Sequence, residues 1–112
     1  MYININNKQI KIKIIDKWFK KILKIIYNPK MSYGLLFPNC NHIHIYSNNE
    51  GIDLIFLNEK NSIIYKYQNV IPGKTIKILE DRKKTNALEL PQNISNNLKI
   101  GDILTFENKH II

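Results

Sequence analysis

The sequence is poor in several residues that whole classes of chemistry depend on. Cys40 is the only cysteine, which excludes an internal disulfide and is compatible with a reducing compartment. The four glycines, Gly34, Gly51, Gly73 and Gly101, are too dispersed to form a phosphate-cradling loop. None of Ser32, Ser47, Ser62 and Ser95 stands in the Gly-x-Ser-x-Gly context of a nucleophile elbow. No stretch approaches the roughly 20 apolar residues that span a bilayer. The start, Met1 to Ile5, lacks a continuous apolar run behind basic residues. The expectation is a cytoplasmic protein with no membrane insertion. Arg82, Ala87 and Val70 are each the only residue of their type.

What is abundant is isoleucine, lysine and asparagine, a combination that suggests A/T-rich coding and discounts composition as a guide to function. At 112 residues and 44% hydrophobic content, the chain is sized and supplied for one core, so a single domain over 1–112 is expected. The formal net charge of +8 invites a nucleic-acid reading. Arginine, however, is the residue suited to bidentate phosphate and guanine contacts, and it is nearly absent. The lysines are scattered, with short clusters at Lys20-Lys21 and Lys83-Lys84. A solvated lysine surface is the preferred reading, with no specific nucleic-acid partner and at most weak, sequence-independent binding.

Periodicity organises the chain. Residues 2–5 and 9–15 alternate as half-buried strands, with Ile10, Ile12 and Ile14 on one face. Asn6-Asn7-Lys8 is a hairpin turn between them, because asparagine tolerates left-handed backbone angles. Asp16 then caps a short amphipathic helix carrying Trp18, Phe19, Ile22, Leu23, Ile25 and Ile26, which ends at Asn28-Pro29. Strands follow at 34–37, 41–46, 52–57, 62–67, 75–79, 88–90 and 103–106. The run 52–57 is apolar apart from Asp53 and reads as a central strand buried on both faces. Residues 58–61 are a turn, and Pro72-Gly73 fits a type II turn. Residues 80–85 form a polar loop, and 93–98 one or two helical turns. The fold class expected is mainly β: a small antiparallel sandwich or barrel with one short helix near the N-terminus.

Several segments in order resemble a bacterial and archaeal family, domain of unknown function 192. They are Gly34-Leu35-Leu36-Phe37, Cys40-Asn41-His42-Ile43-His44, Ile52-Asp53-Leu54-Ile55-Phe56-Leu57, Leu88-Glu89-Leu90-Pro91 and Ile100-Gly101-Asp102. The resemblance implies a compact, mainly β domain and implies no function. The chain departs from the family at residues 46–51, Tyr-Ser-Asn-Asn-Glu-Gly, where the family carries aromatic residues and then Met with a basic residue. An activity depending on that segment would be lost or altered here.

Three constellations carry potential chemistry. Cys40, His42 and His44 alternate on one strand and are weak candidates for metal ligands. Cys40 and His44 would lie about 13 Å apart, too far for one ion, so no metal and no cofactor is expected. Glu89 lies between Leu88 and Leu90 and points away from them, where a carboxylate is either solvated or paired. Asn48-Asn49 suits a two-residue hairpin loop that would set His44 directly across from Asp53 and gather Ile43, Ile45, Ile52 and Leu54 in one patch. A turn at Glu50-Gly51 would instead place His44 across from Leu57. The leading reading is a non-enzymatic binding or accessory domain for a small ligand or partner protein, with His44, Asp53 and Glu89 as its polar cluster. The alternative is a small hydrolase or metal-dependent enzyme using the same three residues. No catalytic residue is assigned.

Overall fold

The computed structural model describes residues 1–15, 33–45 and 51–108. Nine strands run in chain order: β1 (Tyr2–Ile5), β2 (Lys8–Ile14), β3 (Gly34–Phe37), β4 (His42–His44), β5 (Ile52–Leu57), β6 (Ile63–Val70), β7 (Thr75–Lys77), β8 (Asn86–Pro91) and β9 (Phe106–Glu107). Seven form one sheet in the order β6-β5-β8-β3-β2-β1-β9, while β4 and β7 pair as a separate ribbon. Among the described residues the only helical element is a 3-10 turn at Arg82–Lys84, inside the polar loop expected at 80–85. The amphipathic helix expected from Asp16 to Asn28 falls outside the described residues.

Local chemistry explains the turns. Ile5 pairs with Lys8, so Asn6 and Asn7 alone close the first hairpin. Both are left-handed, with φ of 54° and 62°, as the type I′ geometry requires. Gly73 has φ 89°, and Lys74 N–H reaches Ile71 O at 3.4 Å, in keeping with a type II turn at Pro72-Gly73. Asn39, Asn61, Asn69 and Asn93 are also left-handed. The asparagine content therefore has a structural use that coding bias does not supply. The turn at 93–98 is not helical.

The sheet is mixed, which corrects the expectation of an antiparallel one. β2 and β3 run parallel, with Ile12 opposite Gly34 and Ile14 opposite Leu36. A parallel pair needs a long crossover, and Ile14 and Gly34 are far enough apart in the chain to allow one. Gly34 fits this seam closely: a Cβ there would lie 2.6 Å from Ile12 Cδ1 and 3.1 Å from Glu89 O. The sheet also curls until its two edges meet. Ser62 bridges Ile103, Ile63 N–H donates to Asp102 O (2.8 Å), and Leu104 N–H donates to Asn61 O (2.9 Å). Segment 101–107 thus joins the β6 edge to the β1 edge, as in a partly closed barrel.

Each face of the wall has its own core. The inner cluster gathers Ile3, Ile5, Ile10, Ile12, Leu36, Ile55, Leu57, Leu88, Leu90 and Leu104. The outer cluster gathers Leu35, Phe37, Leu54, Phe56 and Ala87 with Ile43 and Ile45, which the β4–β7 ribbon brings down onto the wall. β5 is buried at every position, as its apolar run predicts. The expected strand at 75–79 shortens to Thr75–Lys77 and the one at 62–67 runs as Ile63–Val70, while of the expected strand at 103–106 only Phe106 lies in β9, Phe106–Glu107.

Candidate functional site

The expected hairpin between β4 and β5 does not form. His44 pairs with Thr75 of β7, and its Nδ1 lies 2.8 Å from Thr75 Oγ1 on the exposed side of the ribbon. Asp53 pairs with Leu90 of β8. The reason is that both edges of β5 are occupied, one by β6 and the other by β8. Ile43 and Ile45 still reach the apolar cluster that the hairpin would have built, but they approach it from above as a second layer. The alternative register, His44 opposite Leu57, is excluded by the same pairings. His44, Asp53 and Glu89 therefore form no common cluster.

Asp53 is fully buried on the inner side of the wall and is satisfied there. Its Oδ2 accepts from Ser95 Oγ (2.5 Å) and Ser95 N–H (3.0 Å), and its Oδ1 accepts from Asn69 N–H (3.2 Å). The β5–β6 register slips between Ile52 and Leu54, freeing the Asn69 amide. Asp53 is thus the hub that ties this bulge and the 93–98 turn to the central strand. Its role is structural.

Glu89 lies one step away on β8 and faces the other side. Its cross-strand neighbours are Leu54 and Leu35, both in the outer cluster. The side chain is fully buried, and neither carboxyl oxygen has a hydrogen-bond partner. The expectation that this carboxyl is solvated or paired is therefore wrong. Burial pushes its pKa up to about 8, so it is predominantly the neutral acid at pH 7. The alternation of Leu88, Glu89 and Leu90 shows which way Glu89 points, but an outer layer covers that face.

Cys40 is buried and its Sγ–H donates to His42 O (2.9 Å), while His42 and His44 are exposed. The three do not converge, and no group of three metal-ligating side chains occurs among the described residues.

The structure adds a feature that the sequence reading missed. A cavity of about 390 Å³ lies where segment 98–107 closes against β1. Its polar lining is Asn4, Asp102, Thr105 and Glu107, and its apolar lining is Leu98, Ile103 and Leu104. Ile103 is 69% exposed, so part of the apolar lining faces solvent. Asp102 Oδ2 accepts from Lys99 N–H (2.9 Å), which shapes the turn at the mouth. Glu107 Oε2 is buried without a partner. Across from Asn4 on β2 stands Gln9, whose Oε1 and Nε2 are also buried and unpartnered. The cavity joins residues about a hundred positions apart, so no local spacing could signal it. Gly101-Asp102 reads in sequence only as a turn.

No protein-family profile matches the chain, and no curated protein does. Similarity appears only among solved structures. A protein of unknown function from Novosphingobium aromaticivorans DSM 12444 superposes with a TM-score of 0.70 and 11% identity, covering 94% of this chain and 82% of that one. A protein from Sinorhizobium meliloti 1021, described as a "putative transcription regulator", superposes with a TM-score of 0.65 and 15% identity, covering 93% and 89%. At these identities the likeness concerns the fold: nearly the whole chain adopts an architecture that both proteins share.

Proposed function

We propose that the protein is a non-enzymatic binding domain for a small ligand, held in the cavity between β1 and segment 98–107. The carrying observation is the cavity itself. Its volume falls in the range of small-molecule sites, and its lining combines apolar side chains with a few convergent polar groups. Recognition is favoured over catalysis because His44, Asp53 and Glu89 stand in three separate environments, and the Ser95 hydroxyl beside the Asp53 carboxylate is fully buried, out of reach of a substrate. Titration of the ¹⁵N-labelled protein with a panel of anionic, neutral and cationic fragments tests this. Binding is expected to shift the amides of Asn4 and of residues 98–107. A panel that leaves those amides unmoved overturns the reading.

A second reading rests on the exposed face of the ribbon, where His42 and His44 stand across from Lys77 and Thr75. With the net charge of +8 and a regulator-like structural neighbour, this face supports weak, lysine-mediated binding to nucleic acid. Such binding would fall steeply with salt and show no sequence preference. Membership of the domain of unknown function 192 family is also part of the proposal. It rests on the ordered motif series, whose segments at 34–37, 52–57 and 88–91 lie in β3, β5 and β8.

A further inference from the structure

The β4–β7 ribbon lies as a second layer over the outer face of the sheet, so one of its own faces is turned away from the wall. Its inward residues are apolar: Ile43, Ile45, Ile76 and Ile78 join the outer cluster. The outward residues alternate with them. His42 stands across from Lys77 and His44 across from Thr75, all four exposed. The ladder runs one step further at each end, where Ile78 N–H donates to Asn41 O (2.9 Å) and Ile45 N–H donates to Lys74 O (2.8 Å). The next outward position after Thr75 and Lys77 is therefore Leu79. It is 96% exposed.

Leu79 is held in that position from both sides. Ile78 before it carries the last ladder bond. Glu80 after it accepts from Asn41 Nδ2 at its backbone oxygen (3.1 Å) and from the Tyr65 hydroxyl at Oε1 (3.1 Å). The loop then returns to the same short segment, where Cys40 N–H donates to Thr85 O (2.8 Å). Between these ties the chain makes the 3-10 turn Arg82–Lys84, capped by Asp81, whose Oδ1 accepts from Lys83 N–H (3.0 Å). The two acids of the loop thus take up internal donors, while Arg82, Lys83 and Lys84 are exposed. A tethered aliphatic side chain in water, beside a row of cations, matches a surface that is anionic at its rim and apolar beneath.

From this arrangement we infer that the outward side of the ribbon docks on an anionic lipid surface, with Leu79 entering among the head groups and Lys77, Arg82, Lys83 and Lys84 against the lipid phosphates. The inference is independent of the cavity. It takes the same face as the nucleic-acid reading and assigns it a different partner, because a phosphate backbone gives Leu79 nothing to bury against and a bilayer does. The contact is peripheral, with one aliphatic side chain entering the head-group layer.

Co-sedimentation of the full chain with vesicles tests this, comparing phosphatidylcholine alone with phosphatidylcholine mixed with phosphatidylglycerol, at low and at physiological salt. Binding is expected to the mixed vesicles only, and to weaken with salt. Leu79→Ser should weaken it about fivefold and leave the affinity for a single-stranded oligonucleotide unchanged, and Leu79→Ile should retain it. Lys83→Glu should weaken it about tenfold, whereas Lys60→Glu, the same change of net charge placed in the 58–61 turn, should weaken it no more than about twofold. Leu79, Lys83 and Lys60 are all exposed, so the variants keep the fold, which their ¹H–¹⁵N spectra verify. If Leu79→Ser leaves vesicle binding unchanged, or Lys60→Glu weakens it as much as Lys83→Glu, the attraction is one of net charge and the inference fails. It fails equally if the mixed vesicles do not bind the protein, or if a single-stranded oligonucleotide at matched phosphate concentration displaces it from them.

Discussion

Two buried carboxyl groups, Asp53 and Glu89, sit on adjacent strands one register step apart, both at 0% exposure, yet their environments are opposite. Asp53 turns to the inner side and accepts three hydrogen bonds from Ser95 and Asn69. Glu89 turns to the outer side, among Leu35 and Leu54, and accepts none. Burial alone therefore does not define the state of an acid. One group is held in place by donors that the fold delivers to it. The other remains in the interior by giving up its charge. The first stabilises the protein, and the second costs stability.

The largest test of this contrast is Asp53→Ala, which leaves the Ser95 and Asn69 donors without their acceptor. It is expected to lower the unfolding free energy by about 3 kcal/mol in urea titrations. A loss below about 1 kcal/mol would remove Asp53 from its role as a hub. Glu89→Leu should do the reverse and raise stability by about 2 kcal/mol at pH 7, since a side chain of similar reach replaces an unpaired polar group in an apolar layer. A destabilised Glu89→Leu protein would show that the carboxyl has a partner in solution.

The contrast also has a pH dependence. The folded-state pKa of Glu89, about 8, lies above the ordinary value of 4.5. Between those limits the unfolded chain has released the proton and the folded chain still binds it, so stability falls as pH rises. The slope should approach about 1.4 kcal/mol per pH unit and flatten above pH 8. The difference between wild type and Glu89→Leu across pH 5 to 9 isolates this one group. Parallel curves would mean that Glu89 titrates as an exposed acid. The smallest effect belongs to Ser95→Ala, expected to cost about 1 kcal/mol, because Asp53 keeps both backbone donors. A loss as large as that of Asp53→Ala would place the whole anchor in one hydroxyl.

Sequence made some of this legible and hid the rest for identifiable reasons. The Asn6-Asn7 turn could be read because left-handed angles are a local property, and the burial of β5 because an unbroken apolar run leaves no solvated face. The partner of β4 could not. Alternation at Ile43 and Ile45 states which side of a strand is apolar, and says nothing about which edge is hydrogen-bonded. Both the expected hairpin and the observed ribbon bury the same isoleucines, so only the competition of β6 and β8 for the edges of β5 decides between them. The parallel β2–β3 pair was hidden similarly, since pairing direction depends on the crossover. For Asp53 and Glu89, a polar residue in an apolar run marks a decision without revealing it. The donors that satisfy Asp53 come from 16 and 42 residues away. The cavity at Glu107 depends on the longest-range contact in the sheet.

That contact, β9 against β1, has a consequence for how the protein is made. Tyr2 pairs with Glu107, so β1 acquires its outer neighbour only after about a hundred further residues have been synthesised. Until then the β1–β2 hairpin presents an open, isoleucine-lined edge, the kind of surface that recruits other chains. Closing a loop of this length before any contact rewards it makes edge sealing a late and slow step. The interval between synthesis of β1 and arrival of β9 is therefore a period in which this edge is open to misassembly.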